Sequence, residues 1–146
     1  MAQANVSSRV AGTGFTLVEA VVALAIAAVV AAVAYPSYTA QLRKSRRADA
    51  VVALMQVEQA QERWRGSHRT YAAELGTPPP LGLGLRGSSA DGYYTLSLFD
   101  ASAAGYAVTA TAVPGRSQAA DSVCATLAVT VRRGNVQRLP PGCWTR

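Results

Sequence analysis

The sequence has one histidine, two cysteines and a single lysine among 146 residues, and Glu19 is the only charged residue between Arg9 and Arg43. Each shortage excludes something. One His and two Cys cannot fill a four-ligand Cys/His zinc site. His68 is followed by Arg69 with no second titratable cluster converging on it, and the serines are scattered without a nucleophile elbow. Gly82, Gly84 and Gly87 do not stand between a strand and a helix, which excludes a phosphate-cradling loop. No enzymatic activity, catalytic residue, metal or cofactor is expected. A single long apolar run excludes a polytopic membrane protein, the length excludes a two-domain enzyme, and 12 Gly with 7 Pro exclude a coiled coil.

The cations are more numerous than the acids. Fourteen Lys+Arg against eight Asp+Glu leave a net charge of +6, and all the cations but Lys44 are Arg. The guanidinium fork suits phosphate and carboxylate. Aromatic and Arg residues do not interleave as a base-stacking groove requires, so a solvated basic surface is expected ahead of a dedicated nucleic-acid site. Cys124 and Cys143 both lie in the last quarter of the chain. A disulfide between them would close a loop of about 20 residues and stabilise by about 3 kcal/mol in an oxidising compartment, whereas a reducing compartment leaves two thiols.

The N-terminus carries the sharpest pattern. Residues 1–14 are short and polar, with small residues Gly12-Thr13-Gly14 at their end, and the chain turns apolar at Phe15. In a secretory signal the small-residue cleavage site follows the apolar stretch, which is then discarded. Here it precedes that stretch, so a cut after Gly14 would leave the apolar segment on the mature chain. Between Phe15 and Tyr35 only Thr16 and Glu19 are polar, a run sufficient to cross about 30 Å of hydrocarbon as a helix.

This stretch, GFTLVEAVVALAIAAVVAAVAYPSY, resembles the type IV pilins, with their N-methylated prepilin (class III) signal. The residues that carry the resemblance are Gly14 before the cut, Phe15 as new N-terminus, Thr16-Leu17, Glu19 at the fifth mature position and Pro36 at the twenty-second. The continuation AYPSYTAQLRKSRRADA is similar to the E-type minor pilins, as are Asp121 shortly before Cys124 and the terminal Cys143-Trp144. Ala28 stands where many pilins have a helix-loosening Gly. The resemblance implies a prepilin peptidase that cuts after Gly14 and N-methylation of Phe15. It also implies that Glu19 pairs with a free N-terminal amine, of its own chain or a neighbour's, to set subunit register. A carboxylate in hydrocarbon costs several kcal/mol unless paired, which is why Glu19 reads as functional.

Helical patterning continues past Pro36. No Gly or Pro interrupts Ser37 to Arg65, and Ala48, Val51, Val52, Leu54, Met55 and Val57 form an apolar stripe that predicts the face packed on the rest of the chain. A helix from Phe15 to Arg65 would be about 76 Å long at about 1.5 Å per residue, too long for the compact part of the chain to cover, so its first half needs a bilayer or other subunits. Arg43, Lys44, Arg46 and Arg47 follow the apolar segment and read as a solvated or headgroup-facing collar. By the positive-inside rule that collar would hold the C-terminal part in the cytoplasm. The cysteine pair and the pilin resemblance place it in the periplasm.

Beyond Gly66 the pattern turns to loop and then to alternation. Tyr94-Leu96-Leu98, Tyr106-Val108-Ala110 and Val123 to Val131 read as strands with one buried face. Arg133-Gly134-Asn135 reads as a turn into a short return through Val136, and Pro140-Pro141-Gly142 forbids strand before Cys143. Trp64 is expected between helix and sheet, and Trp144 beside the cysteine pair. The fold class is α+β, a long N-terminal helix whose second half packs on a small antiparallel sheet. The expected organisation is a leader at 1–14, a membrane or filament-core helix at 15–36, its amphipathic continuation at 37–66, and a periplasmic headpiece at 67–146.

The reading that follows is a minor pilin, a structural subunit for pilus assembly and initiation, and so for motility or adhesion. Its partners would be other pilins and minor pilins, the prepilin peptidase, the inner membrane before assembly and the assembly platform, and its final location the extracellular pilus. A type II secretion pseudopilin shares the N-terminal pattern, but Asp91, Asp100 and Asp121 do not form the calcium cluster expected of a major pseudopilin. A DNA receptor on a pilus is the third reading, permitted by the excess of Arg.

Overall fold

A computed structural model describes residues 15–144. The leader expected at 1–14, with the expected cleavage residue Gly14, lies outside the described residues. The chain comprises helix α1 (Leu17–Arg65), strands β1 (Tyr94–Phe99), β2 (Gly105–Ala112), β3 (Thr126–Arg132) and β4 (Asn135–Leu139), and short 3-10 turns at Ser117–Ala120 and Pro141–Cys143. It divides after Tyr38 into two units.

In the first unit every residue from Phe15 to Tyr38 is exposed, including Phe15, Leu17, Leu24 and Val33. By length and composition this stretch can cross a membrane. Its N-terminus is capped by Thr16, whose Oγ1 accepts the N–H of Glu19 at 3.2 Å. Thr16 and Glu19 stand in the Thr-x-x-Glu spacing of a capping box, and Glu19 adds a negative charge to the positive end of the helix dipole. Helix α1 is unbroken through Ala28 and Pro36.

In the second unit the strands lie in the order β1-β2-β3-β4, all antiparallel. The register aligns apolar side chains across the sheet: Leu96 with Ala110 and Leu127, Leu98 with Val108 and Val129, Tyr106 with Val131. With Tyr94 these make one face, and period-two alternation puts Thr95, Ser97 and Thr111 on the other. The buried face of α1 is Ala50, Ala53, Leu54, Val57, Ala60 and Gln61. Of the stripe read from sequence, Leu54 and Val57 are buried, Val51 is half-buried, and Ala48, Val52 and Met55 are exposed. The face is rotated because alanines, weak on any hydropathy scale, fill it at three- and four-residue spacing. Gln61 is fully buried and satisfied on both sides, its Nε2 donating to Ala72 O and its Oε1 accepting from Ala72 N, each at 2.9 Å. That pair turns the chain back after the helix.

Cys124 and Cys143 form a disulfide with a Cα–Cα distance of 5.7 Å, and both are buried in the core. Strand β3 begins at Thr126, later than the expected Val123, because the preceding residues serve a polar anchor. Asp121, buried, accepts two bonds from Arg47, from Nε at 2.6 Å and from Nη2 at 2.9 Å, and a third from Gln118 Nε2 at 3.0 Å. Gln118 Nε2 also donates to Arg43 O at 3.2 Å. The bond to Asp121 raises the Arg47 pKa, against burial, which lowers it. Tyr94 beside this group is raised, by burial first of all. Trp64 stacks on His68 at 3.9 Å, 9° from parallel, instead of lying between helix and sheet. Trp144 packs on the core beside the disulfide, and its Nε1 donates to Leu139 O at 3.2 Å.

Two close constraints can be tested by thermal unfolding of the full chain in detergent. A Cβ on Gly105 would lie 1.8 Å from Val131 O, so Gly105→Ala must part β2 from β3; a loss of about 1–3 kcal/mol is expected, seen as a lower Tm. Asp121→Ala leaves the Arg47 fork without its carboxylate and should destabilise by about 1–3 kcal/mol, more than the paired replacement Arg47→Met with Asp121→Leu. An unchanged Tm for either single variant refutes the corresponding constraint.

Candidate functional site

The residues singled out in sequence belong to separate units of the chain. Phe15 is exposed ahead of α1, Glu19 is in its first turn and Pro36 lies inside it. Cys124 and Cys143 belong to the core of the second unit. His68 makes a local arrangement with Trp64, its Nδ1 lying 3.0 Å from both Ser67 Oγ and Trp64 O.

The basic run is not solvated throughout: Lys44 is exposed, whereas Arg46 and Arg47 are engaged within the chain. Arg47 is committed to Asp121, and Arg46 reaches Ser117 Oγ with Nη1 at 2.5 Å while its guanidinium lies 5.0 Å from the centroid of Tyr93. Both are drawn to the segment after β2, which closes over the helix. Arg116 approaches the same Tyr93 ring at 5.9 Å and donates to Asp91 O at 3.3 Å. It is placed by a tight turn in which Arg116 N bonds Val113 O at 3.2 Å, with Pro114 and the positive-φ Gly115 (78°) at the central positions. Tyr93 is held in turn by Asp49, whose carboxylate accepts the N–H groups of Asp91 and Tyr93 at 3.1 and 3.4 Å.

At the other end of the sheet the β1–β2 loop meets the β3–β4 hairpin. Arg133 N donates to Ala104 O at 2.7 Å, and Ser102 O accepts from Tyr71 N at 3.0 Å. A cleft of about 430 Å³ lies there, lined by Asp100, Ser102, Tyr106, Arg132, Arg133 and Asn135 among others. Burial, then the nearby charges of Glu58 and Glu62, push the Tyr106 pKa up, so this phenol stays neutral. The hairpin turn has φ of 49° at Arg133 and 82° at Gly134, the two-residue geometry that favours Asn-Gly. Arg in the left-handed region costs about 1–2 kcal/mol, and a backbone cost of that kind concentrates at functional sites.

Among the described residues, only Arg47 and Arg138 are in ion pairs with carboxylates, the latter with Glu58 at 2.7 Å. The remaining cations keep donors for an outside anion. Tyr93, Arg116, Ser102 and Arg132 were not legible as site residues. The Pro114-Gly115 turn was a readable signal, whereas the convergence of Arg46 and Arg116 on one ring depends on tertiary contacts.

Two family models match the chain. One, described as "Prokaryotic N-terminal methylation motif", covers residues 13–35. The other, described as "Type IV minor pilin ComP, DNA uptake sequence receptor", covers residues 36–128, more than half of the chain. No curated protein matches. The second match takes in the amphipathic half of α1, the long connection to β1, strands β1 and β2 and the start of β3, and stops short of the rest of β3, of β4 and of Cys143. The chain belongs to the ComP family of type IV minor pilins.

Proposed function

We propose that this minor pilin is a DNA-binding subunit of a pilus that takes up DNA. The match over residues 36–128 carries the reading, since its family is described as a DNA uptake sequence receptor. The excess of arginines without carboxylate partners supports it, because phosphate contacts by Arg supply most of the affinity of such proteins for duplex DNA. The β3–β4 tip, just beyond the matched segment, is the contact with the strongest local case. Arg132 and Arg133 there flank a cleft furnished with Ser102 and Asn135, and Arg133 keeps an unfavourable backbone angle.

On this reading prepilin peptidase cuts after Gly14 and Phe15 becomes the N-methylated N-terminus. Residues 15–36 hold the chain in the inner membrane with the headpiece periplasmic. In the filament the same segment meets the helices of other pilins and minor pilins, delivered by the assembly platform. Glu19, exposed at the capped end of α1, is available to a neighbouring subunit's amine.

Two experiments test this. Intact-mass spectrometry of the protein recovered from host membranes should show loss of residues 1–14 and one added methyl; a full-length mass refutes the processing. Arg132→Gln with Arg133→Asn, the second chosen because Asn tolerates the left-handed angle, should lower DNA uptake by roughly tenfold with pilus content unchanged. Uptake at the wild-type level removes the hairpin tip from the DNA surface, and a full-length chain that shows no salt-dependent retention on duplex DNA refutes the function.

A further inference from the structure

Tyr93 is approached by two arginines from separate elements, Arg46 from α1 and Arg116 from the turn after β2. Each spends one donor on a neutral acceptor, Ser117 Oγ or Asp91 O, and neither is in an ion pair with a carboxylate. Of the nearby acids, Asp49 accepts backbone N–H groups, Asp121 is bound to Arg47 and Gln118, and the exposed Asp91 meets Arg116 through its backbone carbonyl and not in an ion pair. The two guanidinium groups, 5.0 and 5.9 Å from one ring centroid, repel each other, and their contacts with the ring offset that repulsion only in part, at about 0.5–1 kcal/mol per exposed contact. The site is also stiff. The Asp121 anchor fixes the segment after Arg116, and the Asp49 bonds fix the backbone of Tyr93.

We propose that Arg46 and Arg116, gathered by Tyr93, form a clamp for a phosphate of the DNA backbone, a contact at the opposite end of the sheet from the hairpin tip. The proposal rests on the DNA-binding reading and deepens it. All three residues lie inside the segment that matches the family model. A lipid phosphate is the competing anion, but none of Ala90 to Tyr93 or Val113 to Ser117 is among the exposed large apolar side chains that would enter acyl chains beside a headgroup. The contact reads no base, so it strengthens binding to any sequence alike.

The test is the binding of the full chain in detergent to a mixed-sequence DNA duplex across a salt series, with Arg46→Gln/Arg116→Gln, Arg116→Gln alone and Arg46→Lys/Arg116→Lys. The Gln pair should lower the slope of log K against log salt by about 1–2, with affinity at low salt roughly tenfold weaker, and the Lys pair should keep the slope. Arg116→Gln removes an exposed hydrogen bond to Asp91 O and the contact with the Tyr93 ring, leaves the core and the Asp121 anchor intact, and should give about half of that slope change with an unchanged Tm. If the wild type binds DNA and the Gln variants keep its slope, the clamp is refuted and the DNA reading stands. If the wild type does not bind DNA, both fall. If the Gln pair keeps DNA binding but loses binding to phosphatidylglycerol vesicles, the cluster is a lipid site and the proposal is overturned.

Discussion

Close contact between α1 and the sheet requires a helix face with little on it. Ala50 and Ala53 provide that face, and in the same core cluster the sheet brings the large side chains Tyr94, Tyr106, Leu96 and Leu127. Small residues on one element set against large ones on the other let the layers interdigitate without voids, and burying each of the larger side chains contributes about 1.5–3 kcal/mol. The sheet's pairing, the return of the chain through Gln61 and Ala72, and the position of the disulfide all follow from that approach. Gly105 applies the same rule within the sheet, where β2 meets β3 closely enough to leave no room for a methyl group.

The sequence was most legible where periodicity was strong. The alternation at Tyr94 to Leu98 and Tyr106 to Ala110 lies within β1 and β2, and Pro140 ends β4 where its missing N–H requires. The pilin-like N-terminus was legible because its signal is local and ordered. Two features were not. The helix face was misjudged because Val52 and Met55 outweigh alanines in any apolar count, yet burial is decided by which side is narrow enough. The late start of β3 was hidden because Asp121 and Gln118 bond to Arg47 and Arg43, more than seventy residues away.

The candidate site divides in the same way. Gly14, Phe15, Glu19 and Pro36 can be named from sequence because a linear pattern recruits them. The four-residue basic run looked uniform in sequence, but the fold gives its members different tasks: Arg47 anchors a buried carboxylate, and Arg46 leans on an aromatic ring. Thr16 caps α1 by accepting the backbone N–H of Glu19, a local contact in the Thr-x-x-Glu spacing.

The disulfide closes the chain between Cys124 and Cys143 into a ring that contains β3, its turn and β4. A pull applied at Arg133 is borne by two antiparallel strands at once, and both lead to the same covalent link. Neither strand can be drawn out while the other stays behind. The ladder hydrogen bonds between β3 and β4 are therefore spared the shear that a one-sided tug on an open hairpin would impose. A load applied at this tip would pass through sulfur to the core, and reduction of one bond would leave a loop that peels.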